Sequence, residues 1–376
     1  MQNCSIYIHI PFCKSKCYYC DYNSIVNTNY FEQYFKALNN EIELYKNNNF
    51  LIKTIYIGGG TPSFVDSKYI KNIFYKINEI FNMDLKEFTI EVNPESVEEL
   101  KLIDYKEIGI NRISMGIQSS SNKILKTVNR IHTLEKARKS YYTLKKYFKN
   151  INLDFILGLP FETEKTIINN LNLIKELNPQ HISYYLFDSS HETPLMKKIE
   201  KKELTLPNSE FLEDMLDIIY IDLKKMNYNR YEISSWSKDN NFSIHNKVYW
   251  KNENYIGFGV SAGSHISKKR YVNTDSILKY INSLNKNKME YEYYHKNDEK
   301  KDFIETIFMG LRLLEGISIK TLKERYSEKL VINFINKLTA IQSELISIDE
   351  TLKLTEKGLN LSNRVFENLI EIGENI

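Results

Sequence analysis

No stretch of this chain approaches the roughly 18–20 consecutive apolar residues that a bilayer-spanning helix needs. The N-terminus MQNCSIYIHIPFCKSKC lacks a basic lead-in, and His9, Pro11 and Cys13 interrupt its apolar run, so no secretory signal is expected. Both absences point to a cytoplasmic chain, with peripheral membrane contact left open. Charge of either sign is not in excess: 51 Lys and Arg face 48 Asp and Glu, a formal +3. Such a balance gives no strong pull toward nucleic acid or anionic lipid. No G-x4-G-K-[ST] loop is present, which excludes a P-loop nucleotide site. Cysteine is scarce, four in 376 residues, and all four lie within the first 20. Disulfides there would staple only the extreme N-terminus, a poor use of them in a reducing compartment. Clustered thiols point to metal instead.

Apolar β-rich runs and amphipathic stretches alternate through about the first 190 residues. Candidate strands are Ser5–Ile10, Thr54–Ile57, Glu87–Val92, Arg112–Gly116, Ile151–Leu157 and His181–Leu186. Candidate helices are Tyr30–Lys46, Asp66–Asn82, Ser96–Ile108, Thr133–Tyr147 and Glu164–Leu177; in the last, Ile167, Leu171, Ile174 and Leu177 recur at helical spacing. Strands separated by helices run parallel through right-handed crossovers. The expected fold class is therefore α/β: a partial (β/α)6 barrel over residues 1–190, with its site at the carboxyl ends of the strands. Residues 191–300 are less regular and read as an extension of the barrel, with a helix at Asn208–Met226 and the aromatic- and glycine-rich SIHNKVYWKNENYIGFGVSAGSH. Residues 301–376 offer a helix in FIETIFMGLRLLEG, a hairpin in LISIDETLKLTEKG and a closing helix in LNLSNRVFENLI, the outline of a winged-helix-like module. Residues 300–376 carry 11 Lys and Arg against 12 Asp and Glu, unlike a phosphate-binding surface, so nucleic acid is not an expected partner.

Cys13, Cys17 and Cys20 form a C-x3-C-x2-C spacing directly after the strand SIYIHI. Three thiolates on one tight loop can hold three corners of an iron–sulfur cubane and leave one iron open. The alternative is structural zinc with Cys4 as fourth ligand. Cys4 lies across a strand, about 20 Å or more from Cys13 if that strand is extended, and paired C-x2-C knuckles are missing. Gly58-Gly59-Gly60-Thr61-Pro62 follows the strand TIYI, and successive glycines let a backbone pass close to a ligand. A plain strand-to-helix turn would read the same. Glu91 ends the third strand, where its carboxylate can accept hydrogen bonds from ribose hydroxyls or remain a solvated charge. Gln118, Arg130 and Asp154 also end or follow strands, which sets four polar groups at one rim.

The cysteine spacing with these companions resembles the radical-SAM superfamily. Longer stretches, YIHIPFC, YIGGGTPS, EVNPES, RISMGIQS and LDFILGLP, are similar to the oxygen-independent coproporphyrinogen III oxidase-like family. YEISSWS, HNKVYW, YIGFGVSAGSH, FMGLRLLEG and LTEKG extend the likeness to nearly the whole chain. The resemblance is nearest to the haem-chaperone (HemW) branch. Tyr22 stands where the oxidase has a fourth cysteine, little chain precedes Cys13, and HNKVYW resembles the branch's HNxxYW motif, associated with haem binding.

That resemblance implies a 4Fe–4S cluster on Cys13, Cys17 and Cys20, with S-adenosylmethionine chelating the fourth iron. By match it places Tyr7 and Tyr19 beside the cluster, and Gly59, Gly60, Thr61, Glu91, Gln118, Arg130 and Asp154 around S-adenosylmethionine. In the oxidase the last three correspond to contacts with a second S-adenosylmethionine. It also nominates His245 as a haem ligand, since neutral imidazole is a standard axial ligand, although packing explains Tyr249 and Trp250 equally well. The implied function is haem binding and delivery to haem-requiring apoproteins. The rival is radical decarboxylation of coproporphyrinogen III, which needs an electron donor. The nucleic-acid reading is weaker than either.

Overall fold

The computed structural model describes residues 1–341 and 344–374. Six strands, β1 (Gln2–Ile10), β2 (Phe50–Gly59), β3 (Asn82–Val92), β4 (Arg112–Gln118), β5 (Asn150–Leu157) and β6 (His181–Leu186), lie parallel in chain order. Between them run α1 (Phe31–Glu43), α2 (Ser67–Ile80), α3 (Glu99–Glu107), α4 (Asn122–Thr127), α5 (Leu134–Tyr147) and α6 (Glu164–Leu177). Each expected strand is present, and most reach further toward their amino ends than the apolar runs do. Ladder pairing sets a strand's extent, and the polar first residues of β3 pair as well as its apolar core. Local chemistry starts the helices: Asp66, Thr133 and Thr163 accept amide hydrogen bonds at the first turns of α2, α5 and α6.

Residues 187–300 are more ordered than their composition indicates. They supply α7 (Pro194–Glu200), α8 (Ser209–Lys225), α9 (Ile244–Trp250) and α10 (Ile277–Leu284). They also flank the parallel core on both sides. β8 (Ser235–Ser237) adds antiparallel to β6 and β7 (Asn229–Glu232) antiparallel to β8, whereas β9 (Tyr255–Phe258) pairs parallel with β1. β10 (Gly263–Ile266), β11 (Lys269–Asn273) and β12 (Tyr291–Lys296) continue outward antiparallel. The result is one twelve-stranded sheet, open between β12 and β7 among the described residues. This is the partial barrel the alternation implies, wider than six strands.

The C-terminal part comprises α11 (Glu299–Gly310), α12 (Ile319–Arg325), α13 (Glu328–Ile341), α14 (Glu356–Asn360) and α15 (Ser362–Glu374). Its three-stranded antiparallel sheet orders β13 (Ile317–Ser318), β15 (Thr351–Leu354) and β14 (Ile346–Ile348). The expected hairpin is β14–β15, while the first helix stops at Gly310, before LRLLEG. Phe303, Ile307, Phe334, Leu352 and Leu369 form an apolar cluster here, separate from the barrel's. No helix among the described residues is long and apolar enough to cross a membrane.

Candidate functional site

The chain leaves β1 into the loop that carries the thiols. Two backbone bonds close that loop, Ile25 N to Pro11 O (2.7 Å) and Cys13 N to Ile25 O (2.9 Å). Further bonds pin it from outside: Tyr18 N donates to Val128 O (3.0 Å), and Asn129 Nδ2 donates to Lys16 O (2.8 Å). The loop is thus held by the segment following β4, not by its own sequence alone. Cys13, Cys17 and Cys20 all face one cavity of about 350 Å³ at the carboxyl ends of the strands. Thr61 Oγ1 lies 3.5 Å from Cys13 Sγ, and Arg130 Nη1 lies 3.7 Å from Cys17 Sγ.

Two glycines explain why this approach is feasible. Gly59 has φ +111°, a left-handed conformation that side chains resist. A Cβ on Gly60 would stand 2.9 Å from Cys13 Sγ and from the Phe12 carbonyl oxygen. The Gly-Gly-Gly turn therefore leaves the space beside the sulfurs open.

Glu91 enters the same cavity from the end of β3. Its carboxylate accepts from Tyr56 OH (2.8 Å) and Gly59 N (3.1 Å). Burial pushes the Glu91 carboxyl up to about 7, against the pull of the Tyr56 hydrogen bond. Asp154 is raised as well by burial, while Ser114 Oγ (2.9 Å) and Asn152 Nδ2 (2.7 Å) donate to it. Arg130 donates to Asn93 Oδ1 (2.9 Å) and to the Gly116 carbonyl. Burial opposes its charge, but Tyr19, Cys17 and Glu95 more than compensate, so the guanidinium stays protonated. Gln118 sits at φ 68°, an uncommon conformation for a non-glycine residue, where β4 shifts register, and it lines the cavity.

The cavity gathers the three cysteines with Tyr19, Gly59, Gly60, Thr61, Glu91, Gln118, Arg130 and Asp154. Tyr7 and His245 are not among its lining residues. Tyr7 bonds His9 Nδ1 at 3.0 Å. His245 lies one layer deeper, fully buried, with Nδ1 2.7 Å from Thr54 Oγ1 and Nε2 2.8 Å from Tyr249 OH. Tyr56 partitions the two regions, its ring against His245 and its hydroxyl on Glu91. Neither nitrogen of His245 is open to an iron in this arrangement. The motif reads instead as a helix, α9, whose first amides, those of Ile244 and His245, donate to buried Glu87.

The sequence reading missed Tyr22, Asn93, Tyr185, Leu186 and His191 as cavity residues. Asn93 lies within EVNPES and was legible there. Tyr185, Leu186 and His191 sit at and beyond the end of β6 with no local signature.

The donor chemistry fits an iron–sulfur cluster. All four cysteines are free thiols, and Cys4 sits at the opposite end of β1 from the loop, which removes it as a fourth ligand. Burial pushes the Cys20 thiol up to about 12 and raises Cys13 too, so as bare thiols they stay protonated and unreactive. A cationic metal cluster reverses that preference by taking thiolates. A larger cleft of about 590 Å³ opens at the amino ends of the strands beside Lys86, Asn111 and Lys247, but it carries no thiol.

Comparison with known proteins shows the family. The model of the Radical SAM superfamily matches residues 7–174, and that of the HemN C-terminal domain matches residues 299–361. The chain is 32% identical over 370 residues to the heme chaperone HemW of Bacillus subtilis, covering 96% of this chain and 98% of that protein. It is 36% identical over 340 residues to HemW of Buchnera aphidicola subsp. Schizaphis graminum, covering 88% and 87%. The solved structure of coproporphyrinogen III oxidase HemN from Escherichia coli, a radical SAM enzyme, superposes with a TM-score of 0.84. That match covers 99% of this chain and 90% of the other at 22% identity, a likeness of fold.

Proposed function

This chain belongs to the HemW family of radical SAM proteins, and from that membership we propose that it is a haem chaperone, binding haem and passing it to haem-requiring apoproteins. The superfamily implies a 4Fe–4S cluster and S-adenosylmethionine. Cys13, Cys17 and Cys20 are the thiolates that would hold the cluster. When bound, the cluster supplies an open iron for the amino and carboxylate groups of S-adenosylmethionine and an electron for its cleavage, should a donor provide one.

The chain's own residues do the positioning. Glu91, held by Tyr56 and Gly59, accepts from hydroxyl or amine groups of a ligand in the cavity. Arg130, fixed by Asn93, sets its guanidinium beside the Cys17 sulfur, one of the three that would hold the cluster. Tyr19, Gly59, Gly60, Thr61, Gln118 and Asp154 complete the S-adenosylmethionine surface in this reading. Residues up to about 190 hold the cofactors, 191–300 close the flanks, and 301–376 form an appended module. Four unpaired cysteines suit a reducing, cytoplasmic setting.

One observation carries the proposal. Three thiols, Glu91 and Arg130 converge on a cavity with an exposed apolar rim, in a chain one-third identical to HemW along nearly its whole length. The second reading, oxidation of coproporphyrinogen III, is favoured by Gln118, Arg130 and Asp154 sharing that cavity. Tyr22 in place of a fourth cysteine counts against it. Anaerobically reconstituted protein loaded with hemin is expected to transfer haem to a haem-free acceptor and to convert no coproporphyrinogen III. Protoporphyrinogen IX formed at enzyme-like rates, without haem transfer, reverses the ranking.

A further inference from the structure

We propose that the haem seat is the outer rim of the cofactor cavity and that His191, not His245, supplies the imidazole to its iron; this rests on the haem-chaperone reading above. The first argument is elimination. Of seven histidines, five are buried, and His295 lies on edge strand β12. His191 is the one that lines the cavity, with its side chain 55% exposed.

The second argument is the ring's surroundings. Nε2 lies 3.7 Å from Asp21 Oδ2 and 3.6 Å from Asp188 Oδ2, and among the described residues no group bonds Nδ1. Asp188 is itself held by Ser190, whose amide (2.9 Å) and hydroxyl (2.6 Å) donate to Oδ1. With Nε2 facing the carboxylates, Nδ1 is the nitrogen left to face a metal. Carboxylates behind a ligating imidazole orient the ring, select its tautomer and raise its basicity.

The third argument is the adjoining wall. Tyr22, Tyr185 and Leu186 line the same mouth and are 61%, 41% and 45% exposed. Apolar side chains left in water at the rim of a cavity mark a ligand surface. A flat macrocycle covers such a wall without entering the narrow interior that the cluster and S-adenosylmethionine would fill. Lys16, whose Nζ lies 3.5 Å from the Tyr22 carbonyl, adds a cation at that rim for a propionate. His245 meets none of these conditions.

The test is a hemin titration of the full chain, wild type against His191→Ala and His245→Ala, with metal-free protoporphyrin IX as the second probe. His191 is exposed, so its replacement leaves folding and cluster absorbance unchanged. His191→Ala is expected to move the Soret band toward that of unligated hemin and to weaken hemin binding about tenfold, the loss of one axial ligand. His245→Ala should keep the wild-type band. Metal-free protoporphyrin IX should bind wild type and His191→Ala alike, and bind Leu186→Ser more weakly than either. Wild-type spectra and affinity in His191→Ala would overturn the assignment, as would loss of the ligand band in His245→Ala alone. Failure of the wild type to bind hemin at all would instead remove the chaperone reading on which the assignment stands.

Discussion

Gly60 shows how closely single positions bear on the cofactor site. The Cβ it lacks would press on both Cys13 Sγ and the carbonyl of Phe12, an atom fixed by its bond from Thr61 N (2.9 Å). Neither neighbour is a flexible side-chain end, so the sulfur would have to move. Gly60→Ala is expected to keep the far-ultraviolet circular dichroism of the wild type but to lose most of the iron and visible absorbance after anaerobic reconstitution. Wild-type iron content in that variant would show that the loop tolerates the shift. The thiol spacing and the glycine run were legible because all their members are close in sequence. The placements of Tyr22 and His191 at the cavity and of His245 beneath it were not. Each depends on which way a side chain points once β1, β6 and α9 are in place, and His245 sits inside a motif whose burial no local pattern announces.

Helix α1 illustrates what anchors an element to the sheet. Its apolar face was legible from periodicity, but Glu41 on that face was not an expected core residue. Glu41 is fully buried and accepts from Gly259 N (2.8 Å), Asn273 Nδ2 (2.7 Å) and the Tyr280 hydroxyl, which ties α1 to the β9–β10 turn, β11 and α10. Burial pushes its carboxyl up to about 7 against these hydrogen bonds. The folded state therefore holds this proton more tightly than the unfolded state. The stabilisation is fully present below the unfolded value near 4.5 and is lost as pH rises through 7. Glu41→Gln removes that dependence. The stability difference between wild type and variant should move against the wild type by about 3 kcal/mol between pH 4.5 and 8. Parallel urea curves across that range measure it, and a constant difference would place the Glu41 carboxyl at an ordinary value. Strands β7–β12 were not legible for a related reason. They are short, and the two that join the core, β8 and β9, pair with β6 and β1 far away in sequence, so pairing rather than composition defines them.

The barrel and the C-terminal module meet through polar groups as well as apolar ones. Asp302 on α11 is fully buried, 3.5 Å from His265 Nε2 on β10 and 3.3 Å from Arg325 Nη2, and accepts from Tyr326 OH (2.6 Å). Burial alone would lift its carboxyl, but His265, Tyr326 and Arg325 together hold it at about 2. That contribution is present above the ordinary value near 3.8 and disappears as pH falls toward 2. Arg325 also donates to the Asn252 carbonyl (2.9 Å), so a single hub spans the seam. Asp302→Ala leaves His265 and Arg325 without their carboxylate and should cost about 3 kcal/mol at neutral pH. Hydrogen exchange should quicken across α11–α15 while β1–β6 keep their protection. Equal acceleration in both parts would mean that they unfold as one unit.

The order of apolar and polar residues settled the six central strands, their helices and the rim on which the thiols, Glu91 and Arg130 meet. Periodicity is local, and parallel strands bring their carboxyl ends to one side whatever the details. Which residues share the cavity, which histidine faces outward, and where β7–β12 attach depended on contacts between segments far apart in the chain. Those contacts are selected by packing and ladder pairing in three dimensions, and no window of sequence contains them.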